Sequence, residues 1–396
     1  MQIGLALSGG GFRAAIFHVG VLARLAEEER LKDISMVSTV SGGSLAIGLV
    51  FALNDMQWPS SDRFINETLP QVQKILTTQG LRKGVISRLI DRILQRGLLD
   101  ILVSRADDVS EVIQEEWGIT KNLKDLPRSP RWVINATCHE TGKNWQFERF
   151  RMGDYRFGYT YDTDFLIADA LAASAAVPAL IGPFRLDASG RQWFEYVEGS
   201  DETQSPEEIK KYKTKDKPPL YDAAYLWDGG ITDNLGLEKL HDFEKGWPFS
   251  DFLLVSDASG SFLEKRFKPG LGAHWRLISG IMKNQIRSLQ SRAVFEQINI
   301  HKQASGYLRT GNTCLGILEA AELSKSEREQ LCEGSLSSKE VEKAARLSTD
   351  IDAVSNEDYW LLFQHGFEVA DANLHGFHGA DFKFIGYQNT QWARNP

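Results

Sequence analysis

"IGLALSGGGFRAAIFHVGVL", residues 3–22, decides the fold. Residues 3–8 read as a short buried strand, and Phe12 to Glu27 as a helix with an apolar face. Between them stand Gly9, Gly10 and Gly11. Glycine loses more backbone freedom on ordering than any other residue. Three in a row therefore mark a sharp bend, or a place where another group approaches the main chain.

The strand-then-helix unit recurs. Residues 34–40 read as a second strand and Ser44 to Leu53 as the helix after it, a βαβα pattern that predicts an α/β domain with a parallel sheet. "RWVINATC" (131–138) and "DFLLVSDAS" (251–259) are further strands. "LIADALAASAAVPAL" (166–180) is helical until Pro178 stops it. "DYWLLFQHGFEVADANL" (358–374) reads as an amphipathic helix, and about 321–350 as surface helices or a flexible excursion. The charged stretch 197–219 reads as an exposed loop. No repeat or linker divides the chain, so residues 1–396 are expected to be one domain, with a helical region at about 300–396 packed on it.

Composition narrows the function. The 396 residues are 42% hydrophobic and 25% charged, as in an ordinary globular protein. A net charge of −8 supplies no field to recruit nucleic acid. Three dispersed cysteines, Cys138, Cys314 and Cys332, show no disulfide framework or metal-binding pair. Of eight histidines only His375 and His378 are close neighbours, so no metal site is expected. The N-terminus lacks a positive leader region, and the longest apolar run, near Leu45 to Leu53, is too short to span a bilayer. These features point to a cytoplasmic protein, with peripheral membrane contact left open.

Residues 79–105 are a candidate lid or membrane-facing insertion. Val85, Ile86, Leu89, Ile90, Ile93 and Leu94 share one helical face, beside a stripe of Arg88, Arg92 and Arg96. Such a basic amphipathic helix suits an anionic lipid surface; the alternative is a covering helix with a solvated edge. Arg276 to Arg292 reads as a plain surface helix.

The chemistry gathers at glycine-rich turns. In "STVSGGSLA", Ser41 is followed by Gly42 and Gly43, the arrangement of a nucleophile on a sharp strand-to-helix turn. The N–H groups of Gly9, Gly10, Gly11 and Gly42 are candidate oxyanion donors, each worth roughly 3–4 kcal/mol in acyl transfer, with Arg13 reinforcing the region. A nucleophilic serine needs a base. The best candidate is Asp228 in "LWDGGITDNLG", fixed in its turn by Gly229 and Gly230. A phosphate-binding loop is the rival reading of the first turn, but no Gly-Lys-Ser/Thr or GxGxxG accompanies it. Ser44 is a rival nucleophile lacking a glycine two places on. His18 reads as a packing residue, Asp233 and Asn234 as turn caps or supports for the Asp228 loop, and Asp257 as a weak rival base.

"SGGGFRAA", "VSGGS", "ASAAVP" and "DGGITDNLG" stand in the order of the motifs of patatin-like phospholipases, and the chain resembles that family over roughly residues 3–236. The resemblance implies a three-layer α/β/α sandwich and a Ser41–Asp228 dyad with no histidine base. It also implies hydrolysis of fatty-acyl esters of phospholipids, lysophospholipids or neutral lipids without a cofactor. Thr39 departs from the family's Gly-x-Ser-x-Gly. The doubled glycine before Ser44 resembles the cytosolic phospholipase A2 branch, although no calcium-binding module precedes it here. The alternative is a latent or regulatory lipid-binding protein that needs a partner or ligand.

Overall fold

The computed structural model describes the chain except for residues 82–104, 179, 198–213, 243–245, 261–265, 268–272, 274–275, 302–303 and 395–396. The Arg88, Arg92 and Arg96 stripe, most of the candidate lid and most of the charged stretch 197–219 lie outside the described residues.

The opening stretch folds as read. β1 (Ile3–Leu7) leads through the glycines into α1 (Gly11–Glu27), and β2 (Ile34–Val40) into α2 (Gly42–Ala52). There follow α3 (Leu69–Thr78), α4 (Ala106–Trp117), β3 (Arg131–Cys138), β4 (Asn144–Phe147), β5 (Met152–Asp154), β6 (Gly158–Thr160) and α5 (Ile167–Ser174). Then come β7 (Phe184–Asp187), β8 (Phe194–Tyr196), β9 (Thr214–Asp216), β10 (Ala223–Asp228) and β11 (Phe252–Asp257). The chain closes with α6 (Lys283–His301), β12 (Ala304–Arg309), α7 (Cys314–Ala320), α8 (Lys325–Leu331), α9 (Ser338–Arg346) and α10 (Asn356–His378). The end of the expected charged loop is thus a short exposed strand, β9, paired with β8.

Twelve strands form one mixed sheet in the order β12-β11-β1-β2-β3-β4-β5-β6-β8-β9, with β10 and β7 joining beside β3. The first five are parallel, and all but the edge strand β12 are buried on both faces, as crossover helices require. Alternation along the strands separates two cores. Leu5, Leu7 and Leu254 face a large helical layer containing α1, α2 and α10, whereas Ala6, Leu253 and Val255 face Leu235, Trp247 and Val294 on the other side. The protein is an α/β/α sandwich.

α10 departs from a simple amphipathic helix: residues 365–374 are buried on every side. Its polar groups are matched inside. The Asp371 carboxylate accepts from the Arg24 guanidinium and from the N–H groups of Ile385 and Gly386, and Glu368 accepts from the Leu336 N–H. α10 lies directly against α1 because glycines meet at the crossing. A Cβ on Gly20 would stand 2.1 Å from the Phe363 carbonyl oxygen, and one on Gly366 2.0 Å from that of Phe17. Folding also brings the thiols of Cys314 and Cys332 to 2.7 Å, a pairing their spacing in sequence conceals.

Glycine inside a helix costs about 1 kcal/mol relative to alanine, so Gly366→Ala would stabilise an unpacked helix. Here the added methyl meets main chain, and the variant is expected to lose about 2 kcal/mol net, read as a lower urea midpoint. An unchanged midpoint would mean that the helices do not touch there.

Candidate active site

Ser41 joins β2 to α2 with φ 49° and ψ −115°. A non-glycine residue at such angles is strained, and the strain is held by packing on every side. The Ser41 N–H donates to Ser174 Oγ at 2.9 Å, and Ser174 Oγ donates to the Asn135 carbonyl at 2.7 Å. Thr39, where the family has glycine, keeps the turn: its hydroxyl accepts from Trp132 Nε1 at 3.0 Å and lies 2.9 Å from Ser44 Oγ. Ser44 is completely buried and also lies 2.9 Å from Ser174 Oγ, so it belongs to this polar brace.

Strand topology brings the turn that carries Asp228 next to the turn that carries Ser41. Ile134 of β3 pairs with Thr39 of β2 on one edge and Phe147 of β4 on the other, and Ala136 pairs with Asp228 of β10 and Trp145 of β4. β2 and β10 therefore occupy the same edge of β3 and meet end to end. Val40 stands opposite Asn135 and Asp228 opposite the next residue, one strand step of roughly 3.3 Å along. The close approach depends on Gly229, where a Cβ would lie 2.5 Å from the Asn135 carbonyl oxygen. The Asp228 carboxylate accepts from the Gly230 N–H at 2.7 Å. Ser41 and Asp228 are 5% and 3% exposed.

The glycine loop runs past Ser41. A Cβ on Gly9 would be 3.2 Å from Ser41 Cβ, and one on Gly42 only 2.2 Å from the Gly11 carbonyl oxygen. Gly10 (φ 147°) and Gly11 (φ 61°) take backbone angles that suit glycine. The Gly9 N–H donates to the Asn234 carbonyl at 3.0 Å and the Phe12 N–H to that of Asp350 at 3.1 Å. Gly9 is thus engaged elsewhere, whereas the Gly10, Gly11 and Gly42 N–H groups have no partner among the described residues. Gly43 supports the turn from behind, packed on the Leu7 carbonyl.

Arg13 lies against the loop, with Nη2 3.3 Å from where a Cβ on Gly10 would stand. Its guanidinium donates to the carbonyls of Ala258, Ala345 and Leu347, tying α1 to β11 and to the end of α9. Burial pushes its pKa down to about 10, partly offset by Asp257. Asp257 in turn accepts from the Ser259 N–H and the Tyr307 hydroxyl, a structural role. His18 is fully buried, with Nε2 2.9 Å from the Ser8 carbonyl and Nδ1 2.8 Å from Ser256 Oγ, so it packs beneath the site. Asp233 accepts from the N–H groups of Leu235, Gly236 and Glu238 and holds the turn after Asp228.

α6 lies at the surface as expected and also covers the site's flank: Gln290 donates to Asp233 at 2.9 Å and Arg287 to the Gly260 carbonyl at 3.3 Å. Its wide polar face hid this, because polar side chains bonded to loops look the same in sequence as solvated ones. Ser174 also carried no assigned role. Its signal was a lone hydroxyl in an alanine-rich run.

Residues 5–241 match the sequence profile described as Patatin-like phospholipase. The chain belongs to the patatin-like phospholipase family. Among solved structures, human GIVD cytosolic phospholipase A2 is 13% identical with a TM-score of 0.53, over 96% of this chain and 62% of that one. The same human protein in complex with methyl gamma-linolenyl fluorophosphonate is 13% identical with a TM-score of 0.47, over 96% and 58%. This chain therefore spans less than two thirds of the length of those proteins. The comparison with curated proteins gives no match.

Ser174→Ala leaves the buried Ser41 N–H without an acceptor and is expected to cost about 1–3 kcal/mol of stability, measured by urea unfolding. Burial lowers the His18 pKa to about 4. The stability contributed by its neutral form is complete above the free value of 6.5 and fades as pH falls toward 4. In ¹H–¹⁵N NMR the His18 ring is expected to stay neutral from pH 8 to about 5; titration near 6.5 would contradict its burial.

Proposed function

We propose that the protein is a lipid acyl hydrolase of the phospholipase A or lysophospholipase type, acting through Ser41 and Asp228. The observation that supports this reading is the end-to-end meeting of β2 and β10, which brings the strained Ser41 turn next to the turn that carries Asp228, whose carboxylate is fixed by its own loop. Family membership supports the substrate class.

In the proposed reaction Asp228 takes the Ser41 hydroxyl proton as Oγ attacks the ester carbonyl carbon. Negative charge on the carbonyl oxygen is met by the N–H groups of Gly10, Gly11 and Gly42, with the α2 N-terminus adding its dipole. Collapse expels the alcohol, which takes the proton from Asp228, and leaves an acyl ester on Ser41. Water then attacks that ester, with Asp228 again as base, and releases the fatty acid. His18 takes no part, being bonded beneath the site.

The depth of Ser41 and Asp228 favours a second reading, in which the same hydrolase is held closed until a partner or ligand opens it. The Thr349 and Asp350 carbonyls pressed on Gly11 are part of that closure.

A fluorophosphonate probe is expected to label Ser41, mapped by mass spectrometry, and Ser41→Ala to abolish both label and ester hydrolysis. Asp228→Asn should lower the labelling rate by about 10³-fold or more. Labelling only in the presence of lipid vesicles would identify the closed form. An adduct elsewhere, or full activity of either variant, would overturn the dyad.

A further inference from the structure

Resting on the hydrolase reading, we infer that Lys283 is a phosphate-recognition residue at the mouth of this site, which selects acyl lipids carrying a glycerophosphate over neutral glycerides. Lys283 opens α6, the helix laid along the catalytic loops. Its ammonium converges on the Asp228 turn. The point where a Cβ on Gly230 would stand lies 2.8 Å from Lys283 Nζ, 2.8 Å from Asp228 Oδ1 and 2.3 Å from Asn234 Oδ1. Gly230 has no side chain, so the three groups close directly over its backbone beside the carboxylate.

The group is placed for a ligand and is not consumed by the fold. Among the described residues no hydrogen bond or ion pair engages the Lys283 ammonium, and the side chain is half-buried. Neighbouring cations on the helix differ: Arg287 is 9% exposed, donates to the Gly260 carbonyl and lies 3.9 Å from Asp257. Asn234 is the second observation. It is 2% exposed, its Nδ2 donates to Ser259 Oγ, and its Oδ1 has no partner although it lies against the backbone of both Gly230 and Gly9. An ammonium has three N–H donors. Asn234 Oδ1 and Asp228 Oδ1 stand near it without a hydrogen bond to it among the described residues, so its N–H groups remain for an anionic oxygen arriving from outside.

The chemistry selects that oxygen. The chain carries a net charge of −8, so an unpaired cation at the site mouth is the local exception to the protein's field, and a partly desolvated ammonium favours a phosphate oxygen. In a glycerophospholipid the phosphodiester lies a few bonds from the scissile ester, so one molecule reaches both Ser41 and Lys283. A neutral glyceride offers only hydroxyl or ester oxygens there and forgoes the charge-assisted bond.

The test separates recognition from turnover. In the Ser41→Ala background, binding of hexadecyl-glycerophosphocholine and of hexadecylglycerol, ether lipids with no ester, is followed by intrinsic tryptophan fluorescence. Lys283→Gln is expected to weaken the phosphate-bearing ether about tenfold relative to the neutral one, and Lys283→Arg to keep most of the difference. Millimolar inorganic phosphate should compete poorly, since it lacks the chain. Equal weakening of both ethers, or no change in either, would overturn the assignment to Lys283. Inorganic phosphate binding as tightly as the ether would overturn the lipid as its source. If esters are never cleaved by the wild type yet the Lys283-dependent difference persists, the hydrolase reading falls and phosphate recognition stands.

Discussion

The site depends on one edge of β3. Along it β2 arrives parallel and stops at Val40, and β10 arrives antiparallel and stops at Asp228. Neither strand can continue without colliding with the other, so both chains must turn at the same place. Glycine makes the turns possible: a side chain at Gly229 would strike the Asn135 carbonyl, and one at Gly42 the Gly11 carbonyl. The serine and the aspartate are brought together by the ending of two strands.

A buried polar frame keeps that junction rigid. Ser174 bridges Ser41 to Asn135, and Asn135 donates back to the Thr39 carbonyl at 3.0 Å and to Ser38 Oγ at 2.9 Å. Each bond satisfies a group that would be costly to bury alone. The frame extends through α1, which packs on α10 through glycine contacts, and through Arg13, which ties the start of α1 to the carbonyls of Ala258, Ala345 and Leu347. Residues more than 300 positions away in sequence thereby hold the loop beside Ser41.

Much of this was legible in the sequence where physics acts locally. A run of apolar residues, a glycine cluster and an apolar helical face declare strand, turn and helix within about twenty residues, so β1, α1, β2 and α2 fall where expected. Ser41 and Asp228 stood out because a sharp turn after a strand has a glycine signature. The long-range contacts of Arg13 and α6 were not legible, for the opposite reason. A cation near a glycine loop, or polar residues along a helix, show no sign in sequence of which distant carbonyl they will meet.

The sequence by itself determined the elements, the glycine turns and the residues proposed for acyl chemistry, because backbone sterics and side-chain patterning act over a few neighbouring residues. Tertiary structure alone decided which donors of the glycine loop stay open, where the Arg13 guanidinium goes, that Ser174 braces the serine turn and that Lys283 stands at the Asp228 loop. These depend on strand register and helix crossing. Long-range packing sets both, and no stretch of the chain encodes them alone.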